Sequence, residues 1–175
     1  MIRIILILVF ISRIVLYGSV KEEAEETITR ITDSSNITFV KYEIGISTKM
    51  MIEKKCKQKF FSSHLYKWNV YEGDSLINIV LLDNVKGKTQ PISFLVVFNL
   101  EGKVIQSEVV KYREDHGWQV QDENWLNQFD GRDFNSSFLV GQDIDGISGA
   151  TISVNSLSKG INKLCLLAQE ILENE

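Results

Sequence analysis

The chain has 175 residues, a formal net charge of −4, 44% hydrophobic residues and 24% charged residues. This length and composition are typical of one folded domain with an appended segment. No long basic run is present, so a nucleic-acid partner is not expected, because neutralising phosphates requires clustered Lys and Arg. The two cysteines, Cys56 and Cys165, form no Cys-x-x-Cys or Cys/His motif, so no metal site is predicted; spacing leaves open whether they pair.

Residues 1–20 are predicted to form a signal anchor in the cytoplasmic membrane. Residues 4–20 are almost wholly apolar, Arg3 precedes them, and an acidic run follows at 21–26. This charge distribution places the N-terminus in the cytoplasm and the rest of the chain on the outer side. No clear small-x-small cleavage site follows, which favours an uncleaved single-pass anchor over a removed signal peptide. Arg13 interrupts the run, and a buried N-terminal helix is the alternative.

Residues 21–64 are interpreted as a connecting region of helical and extended segments. Residues 24–32 continue as helix, and residues 38–44 are predicted to be extended because they mix β-branched and aromatic side chains. Ser47 is expected to cap a basic helix that continues to about Phe60. The lysines of that helix form a solvated face, or alternatively a docking surface for an acidic redox partner or anionic lipid.

The central part of the chain predicts β-structure. Residues 65–72 and 76–83 are candidate strands, and residues 91–99 and 103–112 form a hairpin with its turn at 99–102. Asp122 is expected to cap a short helix over 123–129, which Gly131 ends.

Apolar residues then recur at spacings of three and four, which predicts a long helix after Thr151: Leu157, Ile161, Leu164, Ala168, Ile171 and Leu172. The predicted fold class is therefore α+β, an antiparallel β-sheet packed by a C-terminal helix, with an N-terminal membrane-anchor helix. Too few helices lie between the strands to supply the crossovers of a parallel sheet.

Directly before this helix stands the motif Asp145-Gly146-Ile147-Ser148-Gly149-Ala150-Thr151. Gly149 and Ala150 are small enough to let a phosphate approach the backbone. The helix start offers unpaired N–H groups and the positive end of the helix dipole, and Ser148, Thr151 and Ser153 supply hydroxyls there. A plain helix cap is the alternative interpretation.

The motif resembles the attachment site of the FMN-binding domain family, best known from the peripheral flavin subunits of the sodium-translocating NADH:quinone reductase and of the Rnf complex. Three further motifs fit the same family: Gly87-Lys88-x-x-Pro91, Tyr-Arg-Glu-x-x-Gly from Tyr112, and Trp-x-x-Gln-Phe-x-Gly from Trp125. Residues 65–175 are accordingly predicted to be the FMN-binding domain. The resemblance implies that a flavin transferase joins FMN, through its phosphate, to Thr151, with Asp145, Ser148, Gly149 and Ala150 as its recognition sequence.

The chain departs from the large family members at Glu114-Asp115-His116-Gly117, where they carry Glu-Thr-Pro-Gly. In the family this turn lies near the flavin, so Glu114, His116 and Gly117 are candidate cofactor-binding residues. Trp125 is a further candidate, since it can stack on the ring. The alternatives are an exposed loop histidine at His116 and a plain core aromatic at Trp125.

The resemblance implies an extracytoplasmic, membrane-tethered flavoprotein that carries covalent FMN for electron transfer. It is expected to be an electron carrier without catalytic residues of its own, served by the flavin transferase and by redox partner proteins or a membrane electron-transport complex. No Gly-x-Gly-x-x-Gly is present, which disfavours a direct NAD(P)H oxidoreductase. One alternative is a flavin-dependent reductase of a small acceptor, with Arg113 and Arg132 as candidate substrate-orienting cations. Another is a non-redox binding or assembly module in which Thr151 is unmodified.

Overall fold

The computed structural model describes residues 19–174, which build a five-stranded antiparallel sheet with helices on both faces. The strands lie in sequence order, so each pairs with the one before it. The predicted antiparallel sheet with a C-terminal helix is confirmed. The elements are α1 Val20–Thr32, β1 Ile37–Glu43, α2 Ile46–Cys56, β2 His64–Glu72, β3 Ser75–Lys86, β4 Pro91–Asn99, β5 Val104–Lys111, α3 Glu123–Leu126 and α4 Thr151–Asn174.

Helix α4 packs its predicted apolar face on one side of the sheet. Leu157, Ile161 and Leu164 are fully buried there with alternate residues of β3 and β4. Gly160 allows the close approach, because a Cβ at that position would lie 2.6 Å from Val85 Cγ1 and 2.9 Å from Phe94 Cζ. The helix is thus held against the sheet at van der Waals distance.

A buried ion pair adds a polar contact to this interface. The Lys163 ammonium lies 2.8 Å from the Asp83 carboxylate of β3 and donates to the Lys59 carbonyl at 3.1 Å. Both ends of the pair are largely shielded from solvent, so each depends on the other for compensation of its charge.

Helix α1 covers the opposite face of the sheet. Ala24 and Ile28 are fully buried in a second core with Trp68, Val80 and Leu95. The Trp68 indole N–H donates to Glu25 at 3.0 Å, and ion pairs join Glu23 to Lys111 and Arg30 to Glu108. Ser19 and Glu22 form a capping box at the start of α1. Residues 21–64 therefore contribute a helix layer, an edge strand and helix α2 to the fold.

Two helix boundaries differ from those predicted. Helix α2 begins after Gly45, with no side-chain cap, and ends at Cys56 because Lys57 adopts a left-handed conformation with φ 52°. The predicted Ser47 cap and the continuation to Phe60 were therefore wrong. Asp122 does cap α3, by accepting from Asn124 N, but α3 stops at Leu126 and a 3₁₀ turn completes the predicted segment.

Both cysteines are buried and free. Burial raises the pKa of the Cys56 thiol to about 11 and also raises the pKa of Cys165. Both therefore remain protonated thiols near neutral pH.

The membrane anchor predicted over 1–20 lies outside the described residues except at its last two positions, which belong to the cap and first residue of α1. Within the described range, 19–174, no helix has the length and apolar character needed to cross a bilayer.

Candidate functional site

The candidate site is a groove at one end of the sheet, where the β3–β4 turn, the segment after β5 and the start of α4 meet. Its first part has a volume of about 300 Å³ and is lined by Lys88, Thr89, Glu114, Asp115, His116, Gly149, Ala150, Thr151 and Ile152. An adjoining part of about 420 Å³ is lined by Asp115, His116, Gly117, Trp118, Gln119, Ser148 and Gly149. Asp115, His116 and Gly149 line both parts, so the groove is continuous. It brings together most of the predicted cofactor-binding residues.

Thr151 lies at the first position of α4 and is exposed to the groove. The Val154 N–H donates to the Ala150 carbonyl at 2.9 Å, which is the first hydrogen bond of the helix. The N–H groups of the first turn accordingly have no acceptor within the helix, and the positive end of its dipole points toward the groove.

The backbone before Thr151 leaves room for a ligand. Gly149 has φ 80°, a conformation that L side chains rarely adopt, and no atom lies within 4 Å of where its Cβ would be. Exposed Lys88 adds a positive charge on the facing wall. Open space, free helix-end donors and a cation are what a phosphate monoester requires, so the residues present fit the phosphate of FMN.

Trp125 contacts the first residue of the motif, Asp145, from the core side. Trp125 is only 7% exposed, and its indole N–H donates to the Asp145 carbonyl at 2.8 Å. The Asp145 N–H donates to the side chain of Gln128 at 2.7 Å. Trp125 also packs edge-on against Phe129 and lines neither part of the groove. The structure therefore places Trp125 in the core, as a support of the motif.

Glu114 organises the β3–β4 turn. Its carboxylate accepts hydrogen bonds from the Gln90 N–H at 3.0 Å, the Thr89 N–H at 2.7 Å and the Thr89 hydroxyl at 2.8 Å. These bonds, that of the Gln90 N–H above all, hold the pKa of Glu114 below its ordinary value. A side chain at Gly87 would collide with this carboxylate and with the Gln90 carbonyl. The Gly87 motif and Glu114 thus form a single unit.

Tyr112 joins the two walls of the groove. Its hydroxyl donates to the His116 carbonyl at 2.5 Å and lies 3.3 Å from the Ser153 hydroxyl. Because Tyr112 donates its one hydroxyl proton to the His116 carbonyl, the Ser153 hydroxyl must be the donor in its hydrogen bond with Tyr112. Gly117, which has φ 82°, packs against Tyr112 and Ala150. A Cβ added at this position would lie 2.9 Å from the Tyr112 hydroxyl oxygen and 3.1 Å from Ala150 Cβ.

The remaining predicted residues divide between groove and interior. Ser148 and His116 are exposed along the groove, whereas Ser153 is 4% exposed and serves the Tyr112 contact. Arg132 donates to the carbonyls of Gln128, Ser137 and Asp143, each at 2.7 Å. These hydrogen bonds stabilise the loop that precedes the motif.

Arg113 donates to the Pro91 carbonyl at 3.3 Å. Neither Arg113 nor Arg132 lines the groove.

Lys88 and Tyr112 belong to the site but were not among the predicted cofactor-binding residues. Lys88 and Tyr112 both stand inside motifs that carried the family resemblance, and that was the only signal available for them. Their roles depend on contacts between segments far apart in the chain.

The family model described as "FMN-binding domain" matches residues 87–165. The match begins at the Gly87 turn and extends through the motif into α4, so it contains both walls of the groove. The predicted resemblance to this family is confirmed. No curated protein matches the chain.

Proposed function

We propose that this chain, whose residues 87–165 match the FMN-binding domain family model, carries FMN covalently on Thr151 and passes electrons between redox partners. Bound FMN supplies the redox chemistry, and the protein holds and orients it. The observation that carries the proposal is the exposed Thr151 side chain, which lies in an open groove at the start of a long helix. The apolar sequence of residues 4–20 supports a membrane-tethered, extracytoplasmic location.

The covalent link is a phosphoester formed by a separate flavin transferase. The bond forms between Thr151 Oγ1 and the flavin phosphorus, and the hydroxyl proton leaves. A flavin dinucleotide is a donor of suitable chemical class, because its phosphoanhydride bond breaks and releases a nucleotide. The chain itself orients the acceptor: first-turn N–H groups and Lys88 stabilise the phosphate charge, and Gly149 keeps the backbone open.

An electron carrier fits the groove better than an independent reductase. Arg113 and Arg132, the cations considered for orienting a small substrate, are bonded to backbone carbonyls and lie outside the groove lining. His116 and Trp118 are exposed along the rim, where a redox partner protein would approach the bound flavin. Covalent attachment retains the cofactor where the cytosolic flavin pool cannot replace it.

The proposal is tested with protein co-expressed with a flavin transferase and examined by intact mass and peptide mapping. The wild type should gain one FMN, mapped to Thr151. Thr151→Ala removes the acceptor hydroxyl and should abolish the mass increase. Gly149→Val should also block labelling, because a β-branched side chain is strained at φ 80° and crowds the phosphate approach.

Thr38→Val is the matched control, since Thr38 is an exposed threonine in strand β1 and lines neither part of the groove. It should retain FMN on Thr151. Stoichiometric FMN on the Thr151→Ala protein would overturn the assignment, and an unlabelled wild type would favour a non-redox binding module.

A further inference from the structure

The outer side of α2 exposes large apolar side chains among lysines. Ile46 is 80% exposed, Met50 67%, Met51 47% and Phe61, in the segment after the helix, 59%. The inner side of α2 buries Ile52 and Cys56 against the main core, which fixes the direction of the outer side. We call the following set the α2 surface: Ile46, Met50, Met51, Lys54, Lys55, Lys57 and Phe61.

The α2 surface is positively charged, although the whole chain has a net charge of −4. Lys54, Lys55 and Lys57 are all exposed. The acidic residue of this helix, Glu53, is 8% exposed, pairs with Lys59 at 2.7 Å and accepts from the Phe60 N–H. Its charge is therefore compensated internally and does not offset the lysines.

Met50, Lys54 and Lys57 also line one open depression of about 480 Å³, so apolar and basic groups share the same surface.

The α2 surface is connected, through the segment before β2, with the first turn of α1. The Lys49 ammonium donates to the Ser62 carbonyl at 2.9 Å, which ties α2 to the segment before β2. Phe61 and Ser62 line a cavity of about 380 Å³ together with Val20, the first residue of α1. The sequence immediately before α1 is the apolar run of residues 4–18. The α2 surface thus lies close to the point where that run joins the domain.

We propose that the α2 surface rests on a membrane with anionic headgroups. Lysines there are attracted to the negative surface potential, while methionine, isoleucine and phenylalanine side chains enter the boundary between headgroups and acyl chains. An acidic protein would satisfy the lysines but leaves the four separated apolar side chains without a common partner. The inference rests on the proposed membrane location, since the adjoining N-terminal run brings this side of the domain to the bilayer.

The test uses the full chain reconstituted in vesicles of phosphatidylcholine with phosphatidylglycerol and a lipid-borne quencher. Met50→Cys is labelled with an environment-sensitive fluorophore, and Leu100→Cys is the matched control. Leu100 is 48% exposed in the β4–β5 turn, at the end of the sheet away from Phe61. The native cysteines are buried with raised pKa, so the introduced thiol reacts first.

Quenching should be several-fold greater at position 50 than at position 100. Lys54→Gln combined with Lys57→Gln should weaken the surface contact roughly tenfold or more and reduce quenching at position 50, because each lysine near an anionic surface contributes separately. Lys103→Gln, at the far turn, should leave it unchanged.

The outcomes separate this inference from the membrane location itself. Vesicle flotation measures membrane association separately from quenching. If the protein floats with the vesicles but is quenched equally at both positions, the proposed contact of the α2 surface is wrong and the membrane location stands. The same holds if quenching at position 50 persists in pure phosphatidylcholine. Protein that fails to float with any vesicle contradicts both the surface contact and the membrane location.

Discussion

At the scale of single residues, the Tyr112 hydroxyl connects the His116 loop with the start of α4. Tyr112→Phe should lower the free energy of unfolding by about 1 kcal/mol, since it removes two hydrogen bonds and leaves the ring in place. It should also slow the proposed attachment of FMN at Thr151, because the His116 loop and the start of α4 are then no longer joined by this hydroxyl. Urea unfolding and the time course of the mass increase measure the two effects.

Tyr71→Phe is the control for this change, because the Tyr71 hydroxyl lies on another part of the sheet and accepts a long hydrogen bond, 3.4 Å, from the Asn69 amide. It should leave the labelling rate unaltered. Equal labelling rates for Tyr112→Phe and wild type would show that the bridge does not position the site.

Glu114 gives the groove a dependence on pH. Hydrogen bonds lower its pKa from the ordinary 4.5, so the charged carboxylate is the form that holds the β3–β4 turn. That stabilisation is complete above pH 4.5 and is lost as the pH falls through the lower folded-state pKa. Hydrogen-exchange protection of the Thr89 and Gln90 amides should fall over this range. Glu114→Gln should weaken protection throughout and remove its dependence on pH in that range.

Glu101→Gln, in the β4–β5 turn, is the matched carboxylate control for Glu114. It should preserve the low-pH loss of protection at Thr89 and Gln90. If Glu114→Gln also preserved that loss, another group would be responsible for it.

At the scale of elements, the distance between α4 and the sheet depends on Gly160. Alanine in a helix interior is ordinarily favoured over glycine by about 1 kcal/mol. Here the added methyl would lie 2.6 Å from Val85 and 2.9 Å from Phe94, and overpacking of this kind costs about 1–3 kcal/mol. Gly160→Ala should therefore be neutral to destabilising by about 2 kcal/mol, measured by urea unfolding. Lys159→Ala, on the exposed side of α4, should change stability little, and a clear gain for Gly160→Ala would show that α4 can move outward without cost.

At the scale of the whole molecule, the independent folding of the domain depends on where the N-terminus is cut. Deleting residues 1–18 retains Ser19, which caps α1, and Val20, which packs against the second core. This protein should fold and keep the stability of the full domain, and if residues 1–18 are the proposed anchor it should no longer associate with the membrane.

Deleting residues 1–20 removes the cap as well and should cost about 1 kcal/mol, or about 2–4 °C in Tm. Calorimetry of both truncations checks the expectation. Failure of the 1–18 deletion to fold would instead favour the buried N-terminal helix.

Much of the architecture could be predicted because its determinants are local. Segments rich in β-forming residues, together with turn residues, predicted the hairpin and the antiparallel sheet but left the register of the second arm open, and spacings of three and four predicted α4. The boundaries of α2 could not be predicted, because its end depends on the left-handed conformation of Lys57 and on burial of Phe60. The motif at residues 145–151 pointed to the family from the sequence alone, because all seven of its residues are contiguous in the chain.

The sequence by itself determined most of the elements, the motif that resembles the FMN-binding domain family and the candidate acceptor Thr151, because each depends on residues that are neighbours in the chain. Only the tertiary structure decided that α1 covers the second face of the sheet and that Trp125 supports the motif from the core. It also decided that Lys88, Glu114 and Tyr112 meet the start of α4 at one groove. The physical reason is that periodicity reports which face of an element is buried, whereas the partner of that face depends on contacts between distant segments.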